Sequence, residues 1–106
     1  MRILFDQGTP VPLRRFLPGH QVATAFEQGW SDLGNGDLLR AAEAQFDLFI
    51  TTDQNLRSQQ DLTGRKLAIH VLPTTNWLEI RRNAQVVVDA VNQATPGEYR
   101  ELSWGN

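Results

Sequence analysis

The sequence predicts an α/β fold built on a mainly parallel β-sheet. Short apolar runs at residues 3–5, 48–51 and 67–72 have the length and composition of strands buried on both faces. Segments with helical periodicity separate these runs, and this alternation is typical of parallel strands joined by helices. A chain of 106 residues without an internal repeat or a linker-like stretch fits one domain, residues 1–106.

The first quarter of the chain predicts a strand, a short helix and a second strand. The apolar run at residues 3–5 is the first strand. Pro10 and Pro12 suit the first turn of a helix, where a missing N–H costs little, and the Pro-Gly pair at 18–19 ends that helix. Residues 20–26 form a second strand with a weaker pattern. The helix is expected to bury Leu13, Phe16 and Leu17.

The middle of the chain predicts a loop, a helix and the central strand. Residues 27–36 are rich in glycine and polar side chains, as loops are. Residues 37–44 are strong helix formers, and Asn35 or Gly36 is expected to cap them. The run at 48–51 is then the third strand, and it leads directly into a polar stretch.

The remainder predicts one more strand, the longest helix and a tail. Residues 54–61 are polar and form a short helix or a loop, and 67–72 is the fourth strand. Asn76 and Glu79 have the spacing of a capping box at the start of a helix. The tail at 94–106 is expected to add an edge strand or to cover one end of the sheet. The apolar stripe of the long helix is expected to contain Leu78, Val86, Val87, Ala90 and Val91.

Composition narrows the classes of function. The chain has no cysteine, which excludes a disulfide framework and a thiolate metal site. His20 and His70 are its two histidines and lie far apart in sequence, so a zinc site of the usual kind is not expected. The formal charge of −2 does not indicate nucleic-acid binding by the surface as a whole. Because no apolar run approaches a membrane span and no secretory signal opens the chain, we expect a cytoplasmic protein outside the membrane.

Three aspartates fall at equivalent points of the predicted topology. Asp6 follows the first strand, Asp53 follows the third, and Asp37 opens the helix that leads into the third. That helix must begin where the second strand ends, so all three residues belong to the edge formed by the carboxyl ends of the strands. We therefore expect the three carboxylates to converge.

Converging carboxylates repel one another, and a divalent cation removes that penalty. Mg²⁺ keeps several waters, so one or two direct carboxylates suffice and the remaining acid can hold a metal-bound water. Such a site can activate water and neutralise charge on a phosphodiester. We expect supporting polar contacts from Thr52, Asn55 and Glu27, and phosphate contacts from Arg14, Arg15, Arg57, Arg65 and Lys66.

Simpler interpretations remain open for each of these residues taken singly. Asp53 and Asp37 suit the start of a helix, where an acid caps the chain or complements the dipole. Asp6 suits a turn before a glycine, and Arg14 and Arg15 suit a solvated helix face. The coincidence of the acids at one edge, more than any one of them, favours the metal site.

Four stretches of the sequence carry a resemblance to a known family. They are Leu4-Phe5-Asp6, Gly19-His20-Gln21-Val22, Asp37-Leu38-Leu39-Arg40-Ala41-Ala42 and Ile50-Thr51-Thr52-Asp53. In this order and spacing they resemble the short PIN-like proteins, which are toxin components of bacterial toxin–antitoxin operons and are similar to the VapC-type ribonucleases.

The resemblance implies a three-layer α/β/α domain with a sheet of four to five strands, a Mg²⁺ or Mn²⁺ ion at an acidic centre, and hydrolysis of RNA. Asp6, Asp37 and Asp53 match the metal-binding and catalytic acids of the family. Asn55 stands where related nucleases often carry a further acid, and its amide offers a ligand oxygen without the charge. The implied partners are an RNA substrate and an antitoxin protein, with a homodimer as a further state.

Two other classes of function remain open. A PIN-like binding module that has lost catalysis would act through a protein partner, and the net acidity and Asn55 favour it. A receiver-like phospho-signalling domain also has acids after its first and third strands. A receiver would need a second acid beside Asp6 and a lysine after a fifth strand. In this sequence Gln7 follows Asp6, and Lys66 precedes the fourth strand.

Overall fold

Five parallel strands form one continuous sheet in the computed structural model, which describes residues 1–105. Every neighbouring pair is parallel, so the predicted α/β fold is confirmed with the full five strands. The tail supplies the edge strand that was one of its two expected roles. The strands are β1 (Arg2–Phe5), β2 (Gln21–Thr24), β3 (Leu48–Thr51), β4 (Ala68–Val71) and β5 (Tyr99–Glu101), and they lie in the order β2-β1-β3-β4-β5.

Helical segments cover both faces of the sheet. Side chains alternate along each strand, so Ile3 and Phe5 lie on one face and Leu4 on the other. The face of Ile3 packs against a 3₁₀ helix, α3 and α4, and the face of Leu4 packs against α1 and α2. The bounds are Val11–Phe16 for the 3₁₀ helix, Asn35–Gln45 for α1, Leu56–Gln59 for α2, Trp77–Arg82 for α3 and Ala84–Gln93 for α4.

The predicted longest helix is interrupted at Asn83. Asn76 caps α3 as expected, with its Oδ1 accepting from the Glu79 N–H at 3.1 Å. Asn83 leaves helical geometry, and its side-chain amide donates to the Glu79 carbonyl at 2.9 Å, which ends α3 before α4 begins. The inward positions keep helical spacing across this break, and they are Trp77, Ile80, Ala84, Val87 and Val91. Leu78 lies off this stripe and is 61% exposed, so the prediction that Leu78 is buried is wrong.

The connection from β4 to β5 differs in hand from the other three. The β1–β2 connection and the β4–β5 connection both cross the face of Ile3, but they run in opposite directions across the sheet. The β2–β3 and β3–β4 connections cross the other face. Nearly all crossovers between parallel strands are right-handed. If the other three crossovers are right-handed, the β4–β5 crossover is left-handed.

Among residues 1–105, no helix has both the length and the apolar character needed to cross a membrane. The longest described helix is α1, at 11 residues.

Candidate functional site

The candidate site lies where the strand order reverses. The chain leaves β1 towards one face of the sheet and leaves β3 towards the other, although the two strands are neighbours. This opens a crevice at their carboxyl ends, which is the usual ligand position in open α/β sheets. Asp6 directly follows β1 and Asp53 follows β3, so both predicted acids lie at this crevice, and both are half-buried.

The hydroxyl of Thr51 joins the two acids. Thr51 is the last residue of β3 and is 1% exposed. Its Oγ1 donates to Asp6 Oδ2 at 2.5 Å and accepts from the backbone N–H of Asp53 at 3.0 Å. One buried hydroxyl therefore fixes the carboxylate of Asp6 and the backbone that carries Asp53.

Thr9 holds the other oxygen of Asp6. The Thr9 backbone N–H and hydroxyl approach Asp6 Oδ1 at 3.0 and 2.7 Å, and the same hydroxyl is 2.9 Å from the Ile50 carbonyl. Asp6 is thus both the turn former and the candidate ligand that the sequence left as alternatives. The sequence interpretation missed Thr9, although an aspartate whose side chain can accept from a nearby backbone N–H is a known turn signal.

Asp53 is held by two asparagines. Asn35 Nδ2 donates to Asp53 Oδ2 at 2.9 Å, and the backbone N–H of Asn55 donates to Oδ1 at 2.9 Å. The expected role of Asn35 or Gly36 as a cap is wrong, because α1 begins at Asn35, two residues before the predicted start, and Gly34 is its N-cap. Asn35 instead brings the start of α1 to Asp53, which the sequence interpretation did not anticipate.

The structure does not bring Asp37 into this pair. Asp37 lies in the first turn of α1, its side chain is 61% exposed, and it forms an ion pair with Arg40 one turn later. Within the described residues, no three Asp, Glu or His side chains gather in a way that could hold a metal ion. The expected convergence of three carboxylates is therefore wrong, and Asp6 and Asp53 are the two predicted acids that follow the carboxyl ends of β1 and β3.

Each of the two carboxylates still has acceptor positions that a hard cation could use. An ionised carboxylate offers about four lone-pair positions. Asp6 accepts three hydrogen bonds and Asp53 accepts two, so each retains free acceptor capacity. Neither forms an ion pair with a basic side chain in the part of the chain that the structure describes. Mg²⁺ and Mn²⁺ need only one or two carboxylates when water completes their coordination.

The expected supporting residues have different roles. Thr52 is half-buried beside Gly8, where a Cβ would stand only 2.3 Å from the threonine Oγ1. The Asn55 side chain is exposed, and the residue contributes its backbone. Glu27 accepts from the Thr24 N–H at 3.0 Å, and this bond together with Arg14 lowers the pKa of Glu27 below its usual value. The Glu27 carboxylate is thus engaged in its own turn.

The five basic residues proposed as phosphate contacts separate into three groups. Arg14 is paired with Glu27 at 2.9 Å, whereas Arg15 is exposed and faces a groove beside the 3₁₀ helix. Arg57 follows β3 and lies 5.4 Å from the centroid of the Tyr99 ring. Arg65 and Lys66 precede β4, so they belong to the opposite edge of the sheet from Asp6 and Asp53.

Tyr99, the first residue of β5, is near enough to Asp53 for that charge to affect its pKa. Burial and a hydrogen bond to Glu101 raise its pKa to about 12, and the nearby charge of Asp53 contributes in the same direction. The Tyr99 hydroxyl is therefore a neutral hydrogen-bond donor at neutral pH, and it is already committed to the Glu101 carboxylate at 2.9 Å.

Comparison of the chain with models of known protein families, with curated protein sequences and with solved structures finds no match.

Proposed function

We propose that the protein is a metal-dependent ribonuclease of the PIN-like type, which hydrolyses RNA at the crevice between β1 and β3. The observation that carries this proposal is a pair of half-buried acids, Asp6 and Asp53, that the Thr51 hydroxyl links by donating to the Asp6 carboxylate and accepting from the Asp53 backbone N–H. Neither acid forms an ion pair within residues 1–105. The sequence resemblance supports the same reaction. As a toxin component it would act in the cytoplasm, with an antitoxin protein as its partner.

The residues of the chain would divide the work as follows. Asp6 and Asp53 would hold a Mg²⁺ or Mn²⁺ ion, which when bound supplies an activated water and neutralises charge on the phosphodiester. Thr51 and Thr9 fix the orientation of Asp6 before substrate arrives. Asn35 fixes Asp53, so the pair is preorganised and loses little freedom on binding.

Asp37 could take part only if its ion pair with Arg40 opens. It is exposed and paired with Arg40, so a role as ligand to a metal-bound water would require that ion pair to open. Exposed ion pairs are worth about 1 kcal/mol or less, so an incoming cation and phosphate could displace Arg40 at small cost.

A binding module without catalysis is the second candidate. The absence of a third acid beside Asp6 and Asp53 among residues 1–105 favours it, since two acids give a site of low charge. Such a module would act through a protein partner, an antitoxin or a second copy of the chain. A receiver-like domain is less well supported, because β5 ends at Glu101 instead of leading to a lysine.

Metal binding and cleavage can be tested on the same set of variants. We expect Mn²⁺ or Mg²⁺ to raise the melting temperature of the wild-type protein, and Asp6→Asn and Asp53→Asn each to abolish that rise together with the cleavage of RNA. Asp89→Asn is the matched control, because Asp89 is an exposed acid on α4 whose contact with Gln85 an amide oxygen can keep.

Each result separates the candidates. A metal-induced rise without cleavage of varied RNAs would favour the binding module. Neither a rise nor cleavage with the wild-type protein would refute the ribonuclease. Cleavage that survives in Asp53→Asn would place the reaction elsewhere in the molecule or in a contaminant.

A further inference from the structure

A groove that mixes aromatic and basic side chains lies beside the candidate site, on the face of the sheet that carries Ile3. It runs between the 3₁₀ helix and α3 and has a volume of about 400 Å³. Both walls begin at the edge of Asp6 and Asp53, because the 3₁₀ helix follows β1 and α3 follows β4. The groove is lined by Pro12, Arg15, Phe16, Trp77 and Arg81.

Two aromatic rings, those of Phe16 and Trp77, line this groove. Phe16 and Trp77 have ring centroids 6.0 Å apart and an interplanar angle of 57°. Trp77 packs against the buried cluster of Ile3, which fixes its position, whereas Phe16 is 37% exposed. Phe16 was expected to be buried, and that prediction is wrong because Leu13 and Leu17 take the inward positions.

Two arginines without an acidic partner line the same groove. Arg15 and Arg81 are exposed, and neither forms an ion pair with a carboxylate in the described chain. Glu79, the acid on α3, accepts a hydrogen bond from Trp104 Nε1 at 2.7 Å. In a chain with a net charge of −2, two free guanidinium groups that line one groove with an aromatic pair suit an anionic ligand with flat rings.

We propose that this groove binds single-stranded RNA, with bases stacked on the separate rings of Phe16 and Trp77 and phosphates contacted by Arg15 and Arg81. Proteins that hold single strands combine aromatic platforms with basic side chains along the backbone, and this groove has both. The identity of the strand as substrate RNA rests on the proposed function. The groove would then hold a flanking tract while the phosphodiester to be cut lies at Asp6 and Asp53.

Binding can be measured without cleavage. Fluorescence anisotropy of a labelled eight-nucleotide pyrimidine RNA, with the Asp53→Asn protein in EDTA, reports the groove alone. We expect the double variant Arg15→Gln/Arg81→Gln to bind at least tenfold more weakly at 50 mM salt. Loss of two phosphate contacts should also reduce the slope of log K against log salt by about 1.4, since each contact to a single strand contributes about 0.7.

The aromatic platform has its own variants. Trp77→Leu should weaken binding about 5- to 150-fold, the equivalent of about 1–3 kcal/mol for one stacked base. Phe16→Leu, at a more exposed ring, is the second variant if Trp77→Leu lowers the melting temperature. Matched controls are Arg2→Gln for charge, at the amino end of β1, and Trp30→Leu for the aromatic ring, on the opposite face. Both controls should bind within twofold of the parent.

Several outcomes would overturn the proposal. It fails if the RNA does not bind at low salt, or if the arginine double variant binds like Arg2→Gln. Equal binding of inorganic polyphosphate, with no effect of Trp77→Leu, would remove the base-stacking part. Binding of polyglutamate in place of RNA would assign the groove to an acidic protein partner. Binding of RNA without any cleavage by the wild-type protein would support the proposed RNA-binding groove and refute the proposed ribonuclease activity.

Discussion

At the scale of single residues, the Thr51 hydroxyl links the two candidate acids of the site. It is buried and serves both as donor to the Asp6 carboxylate and as acceptor for the Asp53 N–H. A hydrogen bond to a charged group contributes about 1.5–3 kcal/mol, roughly twice a neutral one. Removal of the hydroxyl would also leave the Asp53 N–H without its acceptor.

Thr51→Val keeps the shape of the side chain and removes this hydroxyl. We expect the free energy of unfolding to fall by about 1.5–3 kcal/mol, measured by urea denaturation at pH 7. The control is Thr75→Val at an exposed position, which should change stability by no more than about 0.5 kcal/mol. A value for Thr51→Val equal to that of Thr75→Val would mean that the bridge between the two acids contributes nothing to folding.

The sequence predicts the acids of the site better than their supports. Asp6 and Asp53 interrupt the pattern directly after buried strands, so their position follows from strand order. From the sequence alone, Thr51 is predicted to be one more β-branched residue of the strand, and Asn35 is predicted to be a helix cap. Thr51 bonds Asp6, 45 residues away in the chain, and Asn35 bonds Asp53, 18 residues away. Such contacts depend on where side chains point in the folded protein, and no local sequence pattern specifies that.

At the scale of elements, the turn that starts β5 depends on one glycine. Gly97 has φ +78°, and a Cβ there would stand 2.7 Å from the Arg65 carbonyl oxygen. Its N–H donates to the Lys66 carbonyl at 2.8 Å, and Ile69 N–H then bonds the Glu98 carbonyl at 2.9 Å. The close approach of these two backbones sets the register in which β5 joins β4.

Gly97→Ala should therefore lower the free energy of unfolding by more than the left-handed backbone conformation alone would explain. Gly64→Ala is the matched control, because Gly64 has φ +76° and nothing within 4 Å of an added Cβ. We expect Gly64→Ala to lose about 1–2 kcal/mol of unfolding free energy for its backbone conformation. Gly97→Ala should lose a further amount of about 1–3 kcal/mol for the steric conflict. Equal losses in thermal or urea denaturation would refute a role for the close approach.

Elements with a strong local pattern are predicted well, and their connections are not. The buried runs of β1, β3 and β4 fall where their apolar composition places them. The stop at Asn83 is invisible to helical periodicity, because asparagine is tolerated inside helices and its bond to the Glu79 carbonyl forms only in three dimensions. The hand of the β4–β5 crossover depends on which face α3 and α4 cover, and their apolar stripes do not specify that.

At the scale of the whole molecule, a buried histidine couples stability to pH. His70 is 0% exposed on β4, and its Nε2 lies 2.5 Å from Glu98 Oε2, while Nδ1 has no partner among residues 1–105. Because ionised Glu98 accepts, the neutral imidazole carries its proton on Nε2. Burial lowers the pKa of His70 below 6.5, and this outweighs the opposing effect of Glu98.

The pKa of Glu98 is also lowered, although its own burial acts to raise it. Hydrogen bonds from His70 and Thr95 outweigh that burial and keep the carboxylate ionised in the native state. The native state thus resists protonation at both residues. The unfolded chain takes up a proton at His70 below about pH 6.5 and at Glu98 below about pH 4.5.

Stability should therefore fall as the pH is lowered from 7.5 to 5.0, since the unfolded state binds more protons in that range. In a His20→Gln background His70 is the only histidine, so urea denaturation at the two pH values isolates its effect. Each unit of pKa difference between the native and unfolded states corresponds to about 1.4 kcal/mol. Addition of His70→Gln, whose amide can still donate to Glu98 without titrating, should remove most of the decrease. An increase in stability towards pH 5.0 would instead show that His70 is protonated in the native state and forms an ion pair with Glu98, so that attraction within the pair outweighs burial.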